Sequence, residues 1–190
     1  MTIFQNLRLA WRLGRFDGSA AAAYSNETRD AWRSFLAMPL VLMIGYASSD
    51  VSVLALTGED APPKGPVLLE VAVFIIGWLA QIVIACEIAR FLGKGDLLAR
   101  YVVAHNWTSV IQQGVIALGL GLFFAAGASK DLMVFWASIA AFWAFAYDWF
   151  VGKTALELTF GQATSIIFAK LIVAISIVNM KSSYLQSLSG

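Results

Sequence analysis

The sequence predicts an all-α fold, in which an N-terminal amphipathic interfacial helix precedes a polytopic transmembrane bundle of about five spans. Of its 190 residues, 59% are hydrophobic and only 13% are charged, with a mean hydropathy of +0.74. Soluble domains are about half apolar and a quarter charged. In addition, apolar stretches of roughly 20 residues recur along the chain, which is the length that a helix needs to cross about 30 Å of hydrocarbon.

The first 33 residues are predicted to form a cytoplasmic segment that contains the amphipathic helix. At 100° per residue, arginines gather on one side of this helix, while Ile3, Leu7, Ala10 and Leu13 gather on the other. This pattern favours a helix lying in the membrane interface, although a solvent-facing helix packed on a partner has the same pattern. The residues expected to contact the interface are Arg8, Trp11, Arg12, Arg15 and Trp32.

The transmembrane domain is predicted over residues 34–182. Its spans are expected at about 34–56, 66–92, 98–126, 132–151 and 163–182. Pro66 is well placed to open the second helix, because proline is tolerated in a first helical turn.

Three stretches leave alternatives open or fall outside the spans. Ser48, Ser49 and Asp50 make the second half of the first span polar, so that half is either distorted or lines a polar cavity. Residues 152–162 fit a helical extension, a kink or a short loop. Residues 183–190 are expected to form a short tail.

The positions of the lysines and arginines predict the orientation, since cytoplasmic flanks of membrane proteins are enriched in them. With the N-terminus inside, only Lys64, Lys130 and Lys181 fall on the outer side. We therefore expect a multi-pass protein of the bacterial inner membrane, with a cytoplasmic N-terminus and an outside C-terminus.

Composition and motifs argue against several functional classes. The net charge of +1 provides no basic surface for nucleic acid. Cys86 is the only cysteine and His105 the only histidine, so an internal disulfide, a cysteine-rich metal site and bis-histidine haem ligation are excluded. Common hydrolase, metalloprotease and phosphate-binding motifs are missing. We expect no catalytic residue, no metal and no cofactor.

Polar residues within the predicted spans form the main candidate site. They are Glu87, His105, Asn106, Asp148 and Lys170, and all fall in the cytoplasmic half of the bundle. Ionisable groups in a membrane cost about 2.5–3.5 kcal/mol each on insertion scales, so they usually face the bundle and pair. Lys170 is expected to pair with Asp148 or Glu87, and His105 is suited to proton exchange near neutral pH.

The alternative interpretation is structural. The same residues can act as polar contacts between helices, and Glu87 can pair with Arg90 along one helix face. Gln112 and Gln113, near the middle of the third span, favour helix packing over a conduction path.

The fourth span has a face of small residues that suits close helix packing, either within the chain or with another subunit. This face consists of Ala137, Ala140, Ala141 and Ala144.

Three short aromatic-rich stretches resemble a known group of proteins. They are residues 30–35 (DAWRSF), 101–107, which end in Asn106-Trp107, and 147–156 (YDWFVGKTAL). In these stretches the chain resembles an uncharacterised family of small membrane proteins, mostly of alphaproteobacteria, that is distantly similar to the Yip five-span family. The resemblance implies five spans, an inside N-terminus and an outside C-terminus, and it implies no catalytic residue.

Two functional hypotheses follow. The first is a non-enzymatic accessory subunit or membrane-organising protein, which interacts with the lipid bilayer and with a protein partner or a second copy of the chain. The second is a small-solute or proton-coupled transporter that uses the five polar residues as a cytoplasm-facing site.

Overall fold

The computed structural model describes residues 1–57 and 66–189, which are helical apart from short connections and contain no β-strand. The helices are α1 (Ile3–Gly14), α2 (Ser19–Ala22), α3 (Thr28–Ser34), α4 (Ala37–Thr57), α5 (Val67–Phe91), α6 (Leu98–Ala125), α7 (Lys130–Ala155) and α8 (Phe160–Ser189). A 3₁₀ turn, Gly95–Leu97, links α5 to α6.

Five helical segments are long and apolar enough to cross a membrane, which confirms the predicted fold class. They are Thr28–Ser49, Val67–Phe91, Gly95–Ala125, Lys130–Ala155 and Phe160–Ser187. The expected loop between the first two spans falls mostly on residues 58–65, which lie outside the described residues.

The helix of the first span is interrupted by a turn just before Pro39. The chain turns at residues 35 and 36, between α3 and α4. Pro39 has no N–H to donate to the carbonyl of Phe35, and its ring crowds that carbonyl, so one continuous helix is unfavourable there. Beyond the break, α4 continues to Thr57. The hydroxyls of Ser48 and Ser49 bond to carbonyls of their own helix; the side chain of Asp50 lies outside the described residues.

The segment 152–162 combines two of the expected alternatives. Helix α7 continues to Ala155, a short connection follows, and α8 begins at Phe160. Glu157 in this connection has a φ of 53°, a left-handed conformation that non-glycine residues seldom adopt. At its other end α8 continues to Ser189, so residues 183–189 extend the last helix.

The long helices form two packed groups. Helix α4 packs against α6 and α7, whereas α5 packs chiefly against α8, and α7 joins the groups by packing against α8. We call the side where α5 and α7 end and where α6 and α8 begin the near end of the bundle. The opposite side is the far end.

Hydrogen bonds made by Arg100 and Asn26 hold the near end together. Asn26 donates to the carbonyl of Asp96 at 2.5 Å and accepts from the Arg100 amide at 3.0 Å. The Arg100 guanidinium donates to the carbonyl of Ala155 at 2.7 Å and to the Glu157 carboxylate at 2.9 Å. This hydrogen bond from Arg100 holds the pKa of Glu157 below its usual range.

Helix α1 is amphipathic, as predicted, and packs against α6 and α7 of its own chain. Its buried residues are Asn6, Leu9, Ala10, Leu13 and Gly14. The Tyr147 hydroxyl donates to the carbonyl of Ala10, and Trp143 Nε1 donates to that of Gly14 at 3.2 Å. The buried face is therefore rotated from the predicted one, because Ile3 is exposed and the polar Asn6 is buried.

The outer surface of α1 still carries the residues expected at a membrane interface. Trp11 is 51% exposed and Phe4 is 84% exposed. Arg12 forms an ion pair with Asp17, and hydrogen bonds from Ser19 and Arg12 lower the pKa of that carboxyl. Contact of Arg8, Trp11, Arg12, Arg15 and Trp32 with lipid stays a prediction.

Candidate functional site

Three side chains from three helices form one buried cluster. Lys170 Nζ of α8 lies 2.5 Å from Asp148 Oδ2 of α7, and His105 Nδ1 of α6 lies 3.5 Å from Asp148 Oδ1. The side chains of Lys170, His105 and Asp148 are 5%, 8% and 20% exposed. Asp148 thus joins two residues that are far apart in the sequence.

The cluster lies at one depth because of where each residue stands on its helix. At 1.5 Å per residue, His105 and Asp148 are about 10 Å from the near ends of α6 and α7, and Lys170 is about 15 Å from that of α8. A charged pair at this depth avoids much of its desolvation cost only when the partners meet directly. Lys170 therefore pairs with Asp148, one of its two expected partners.

Asn106 belongs to a second hydrogen-bonded group beside the cluster. Its side-chain oxygen accepts from Trp78 Nε1 at 3.1 Å, and its Nδ2 donates to Ser34 Oγ at 2.8 Å. The Ser34 hydroxyl donates to the carbonyl of Ala31 at 2.6 Å. Asn106 is completely buried, and these bonds connect α3, α5 and α6.

Glu87 lies apart from the cluster. It pairs with Arg90 on the surface of α5, where both side chains are more than half exposed. Together they line a separate groove between α5 and the near end of α6. The structure thus brings together three of the five candidate residues, places Asn106 next to them and leaves Glu87 outside.

A cavity of about 550 Å³ extends from the cluster. It lies between the α5–α8 pair and the α4–α6–α7 group, and its wall includes Val41 of α4. The polar residues of the wall are Gln81, His105, Ser109, Gln112, Gln113 and Asp148. This volume is within the range of small-molecule sites in proteins.

The cavity runs from the cluster toward the far end. On α6 its wall begins at His105 and ends at Ile116, and on α7 it begins at Asp148 and ends at Ala141. Each of these helices therefore lines the cavity only with residues at or beyond the cluster.

Two buried polar atoms beside the cluster make no hydrogen bond within the described part of the chain. His105 Nδ1 is one of them, since 3.5 Å to Asp148 is long for a hydrogen bond. The other is the hydroxyl of Tyr101, whose ring stacks on His105 with 5.7 Å between centroids. Unpaired buried groups are rare in folded proteins, and His105 Nδ1 still faces the Asp148 carboxylate across 3.5 Å.

Comparison with known proteins gives no family for this chain. No protein-family model matches it, and neither the curated proteins nor the solved structures contain a significant match. The resemblance to an uncharacterised family of small membrane proteins, itself distantly similar to the Yip five-span family, stays a prediction. Within the described residues, no group of three or more histidine, cysteine, aspartate and glutamate side chains is placed to hold a metal ion.

The small-residue face of α7 is used inside the chain. Ala137 and Ala140 are buried, while Ala141 and Ala144 line the cavity. The Gln112 side chain donates to the carbonyl of Ala144 at 3.1 Å, so it both joins α6 to α7 and faces the cavity.

The sequence predicted a polar site at these residues but not the extension of the cavity toward the far end, although one signal for that extension was present. His105, Ser109, Gln112 and Gln113 follow each other at helical spacing, so they form one polar stripe on α6. A continuous polar stripe on a transmembrane helix indicates a surface turned away from lipid. The parts played by Trp78 and Tyr101 had no such signal.

Proposed function

We propose that this multi-pass membrane protein binds a small molecule in the cavity beside His105 and Asp148, and that it does so without catalysing a reaction. The observation that carries the proposal is the cavity itself, which has a volume of about 550 Å³ and a wall that includes His105, Asp148 and four further polar side chains. A few polar side chains that converge on an otherwise apolar cavity of this size are typical of small-molecule sites.

Transport is the activity that fits such a site best. The cavity lies between two helix groups that meet mainly through α7 and α8, and relative movement of two such groups is a common way to expose an intramembrane site. His105, as the only histidine, is the group best suited to couple a proton to that movement.

The proposed location is the bacterial inner membrane, with the N-terminus in the cytoplasm. In this orientation the near end faces the cytoplasm. The cavity then extends from the cluster toward the opposite leaflet, so its extent does not favour the cytoplasm-facing opening that we expected from the sequence.

The second candidate is an accessory or membrane-organising protein that acts through contacts with other proteins. The observation that favours it is a row of exposed aromatic residues on α7. Phe135, Phe142 and Phe145 are 62%, 77% and 49% exposed. A partner helix, a second copy of the chain or lipid can cover such a row.

Native mass spectrometry of the protein, extracted gently from its own membrane, tests the two candidates. Ala174 lines the cavity from α8, so Ala174→Trp fills it. Ile172 is 64% exposed on the same helix, so Ile172→Trp is the matched control.

We expect the native chain and Ile172→Trp to carry a small-molecule mass that Ala174→Trp lacks. A bare protomer in all three samples would overturn the binding proposal. A stoichiometric protein subunit without any small molecule would do the same and would favour the accessory role.

A further inference from the structure

We infer that the ligand of this cavity is a neutral lipophile with an uncharged hydrogen-bonding head, and that it enters sideways from the bilayer. This inference rests on the proposed binding function and names its substrate class. It follows from the wall of the cavity, from the position of its mouth and from the charge of the cluster.

The wall changes from polar to apolar with distance from the cluster. His105 and Asp148 lie at the base, with Ser109 one turn further along α6. Gln112 and Gln113 follow about one turn beyond Ser109, and the other side chains beyond the base are mainly aliphatic or aromatic, namely Val73, Phe74, Ile116, Ile177 and Val178. A molecule that fills this space needs a polar group at one end and an apolar body at the other.

The mouth of the cavity lies at the depth of the hydrocarbon core. The most exposed residues of its wall are Phe145 of α7, at 49%, and Val178 of α8, at 61%. At 1.5 Å per residue they are about 15 Å and 27 Å from the near end, in a hydrocarbon layer about 30 Å thick. An apolar opening at this depth faces lipid tails, so a ligand reaches it from the bilayer.

The charges at the base favour a neutral head. Lys170 already neutralises Asp148 at 2.5 Å, so an anion or a cation entering the cavity would find no uncompensated partner there. Bringing an unpaired ion to this depth is costly. The available groups at the base are instead hydrogen-bonding ones, on His105 and Ser109. A hydroxyl or carbonyl head matches them.

Photo-crosslinking in lipid nanodiscs tests the inference. The probe is a long-chain primary alcohol with a diazirine in its chain, and the comparison probe is the carboxylate of the same length. Labelled positions are mapped by peptide mass spectrometry. Ala141→Trp narrows the cavity from the α7 side, and Phe142→Trp, whose side chain is 77% exposed, is the control.

We expect the alcohol to label cavity-wall residues of α6 and α7 in the native chain and in Phe142→Trp, with loss of this labelling in Ala141→Trp. If the carboxylate labels these residues and the alcohol does not, the neutral class is wrong while the binding site stands. If neither probe labels the wall although native mass spectrometry finds a bound molecule, lateral entry of a lipophile is overturned and the binding function stands. If both experiments are negative, both proposals fail.

Discussion

At the scale of single residues, the contact between Asp148 and Lys170 joins α7 to α8 at the base of the cavity. Both side chains are largely buried, and their charged atoms are 2.5 Å apart. Removing one partner of a buried ion pair leaves the other charge uncompensated, whereas removing both leaves no charge to compensate. The sequence predicted Lys170 as the residue most in need of a partner. To choose between Glu87 and Asp148 as that partner, one has to know how α5 is rotated about its axis.

We predict that Lys170→Met lowers the free energy of unfolding by about 3–5 kcal/mol, because Asp148 stays buried as an unpaired carboxylate. Adding Asp148→Asn to that variant should restore part of the loss. Denaturant unfolding in mixed micelles measures the four members of this double-mutant cycle. Strictly additive effects of the two substitutions would show that the pair is not coupled.

At the scale of elements, close contact between α6 and α7 depends on a glycine. The Trp136 ring of α7 occupies the space where a side chain at Gly119 of α6 would begin, whereas Gly121 has open space around it. Gly119→Ala should therefore destabilise the protein by about 1–3 kcal/mol through overpacking. Gly121→Ala is the matched control and should have little effect. Equal thermal stability of the two variants would contradict this packing.

The connection between α7 and α8 should respond to acid through Glu157. The hydrogen bond from Arg100 lowers the pKa of this carboxyl in the folded state, so its contribution is complete above the unfolded value of about 4.3. It is lost as the pH falls through the lower folded value. The protection factors of residues 155–160, which are corrected for the intrinsic pH dependence of amide exchange, should fall in acid in the native chain and depend less on pH in Glu157→Gln. The same acid response in both would exclude Glu157 as its source.

The existence and approximate bounds of the helices could be predicted from hydropathy, length and the positions of proline and glycine, because these are local properties of the chain. The rotation of each helix about its own axis could not be predicted in this way. Low amphipathicity is normal where lipid and the protein interior are both apolar, so the sequence gives a weak signal for which face turns inward. The sequence therefore predicted the depth of Asp148 and of Glu87, but not the side of the helix that each one occupies. For this reason Glu87 was grouped with Asp148, although Glu87 lies outside the cluster.

At the scale of the whole molecule, the predicted topology states which side of the membrane each end of the bundle faces. In a Cys86→Ala background, Arg29→Cys should react with a membrane-impermeant thiol reagent only from the cytoplasmic side. Ser187→Cys should react only from the outer side, because Arg29 stands at the start of the first span and Ser187 at the end of the fifth. Labelling of both cysteines from the same side would contradict an odd number of spans.

The cavity itself could not be predicted from the sequence, since it arises from the way in which the α5–α8 pair stands against α4, α6 and α7. Residues that line it come from all five long helices. Each contributes a short stretch that, by itself, looks like ordinary transmembrane sequence. Only the polar stripe of α6 gave any indication of it.

The central claim is that the single histidine faces a ligand-binding cavity, and ¹⁵N NMR of histidine-labelled protein tests it most directly. Because His105 is the only histidine, one residue gives all the imidazole signals. Spectra are compared in nanodiscs of native lipid extract and of pure synthetic phosphatidylcholine. For the native chain and for Phe142→Trp, we predict imidazole shifts that differ between the two lipid preparations. For Ala141→Trp, we predict identical shifts in both preparations. Identical shifts for the native chain in both lipids would contradict the claim.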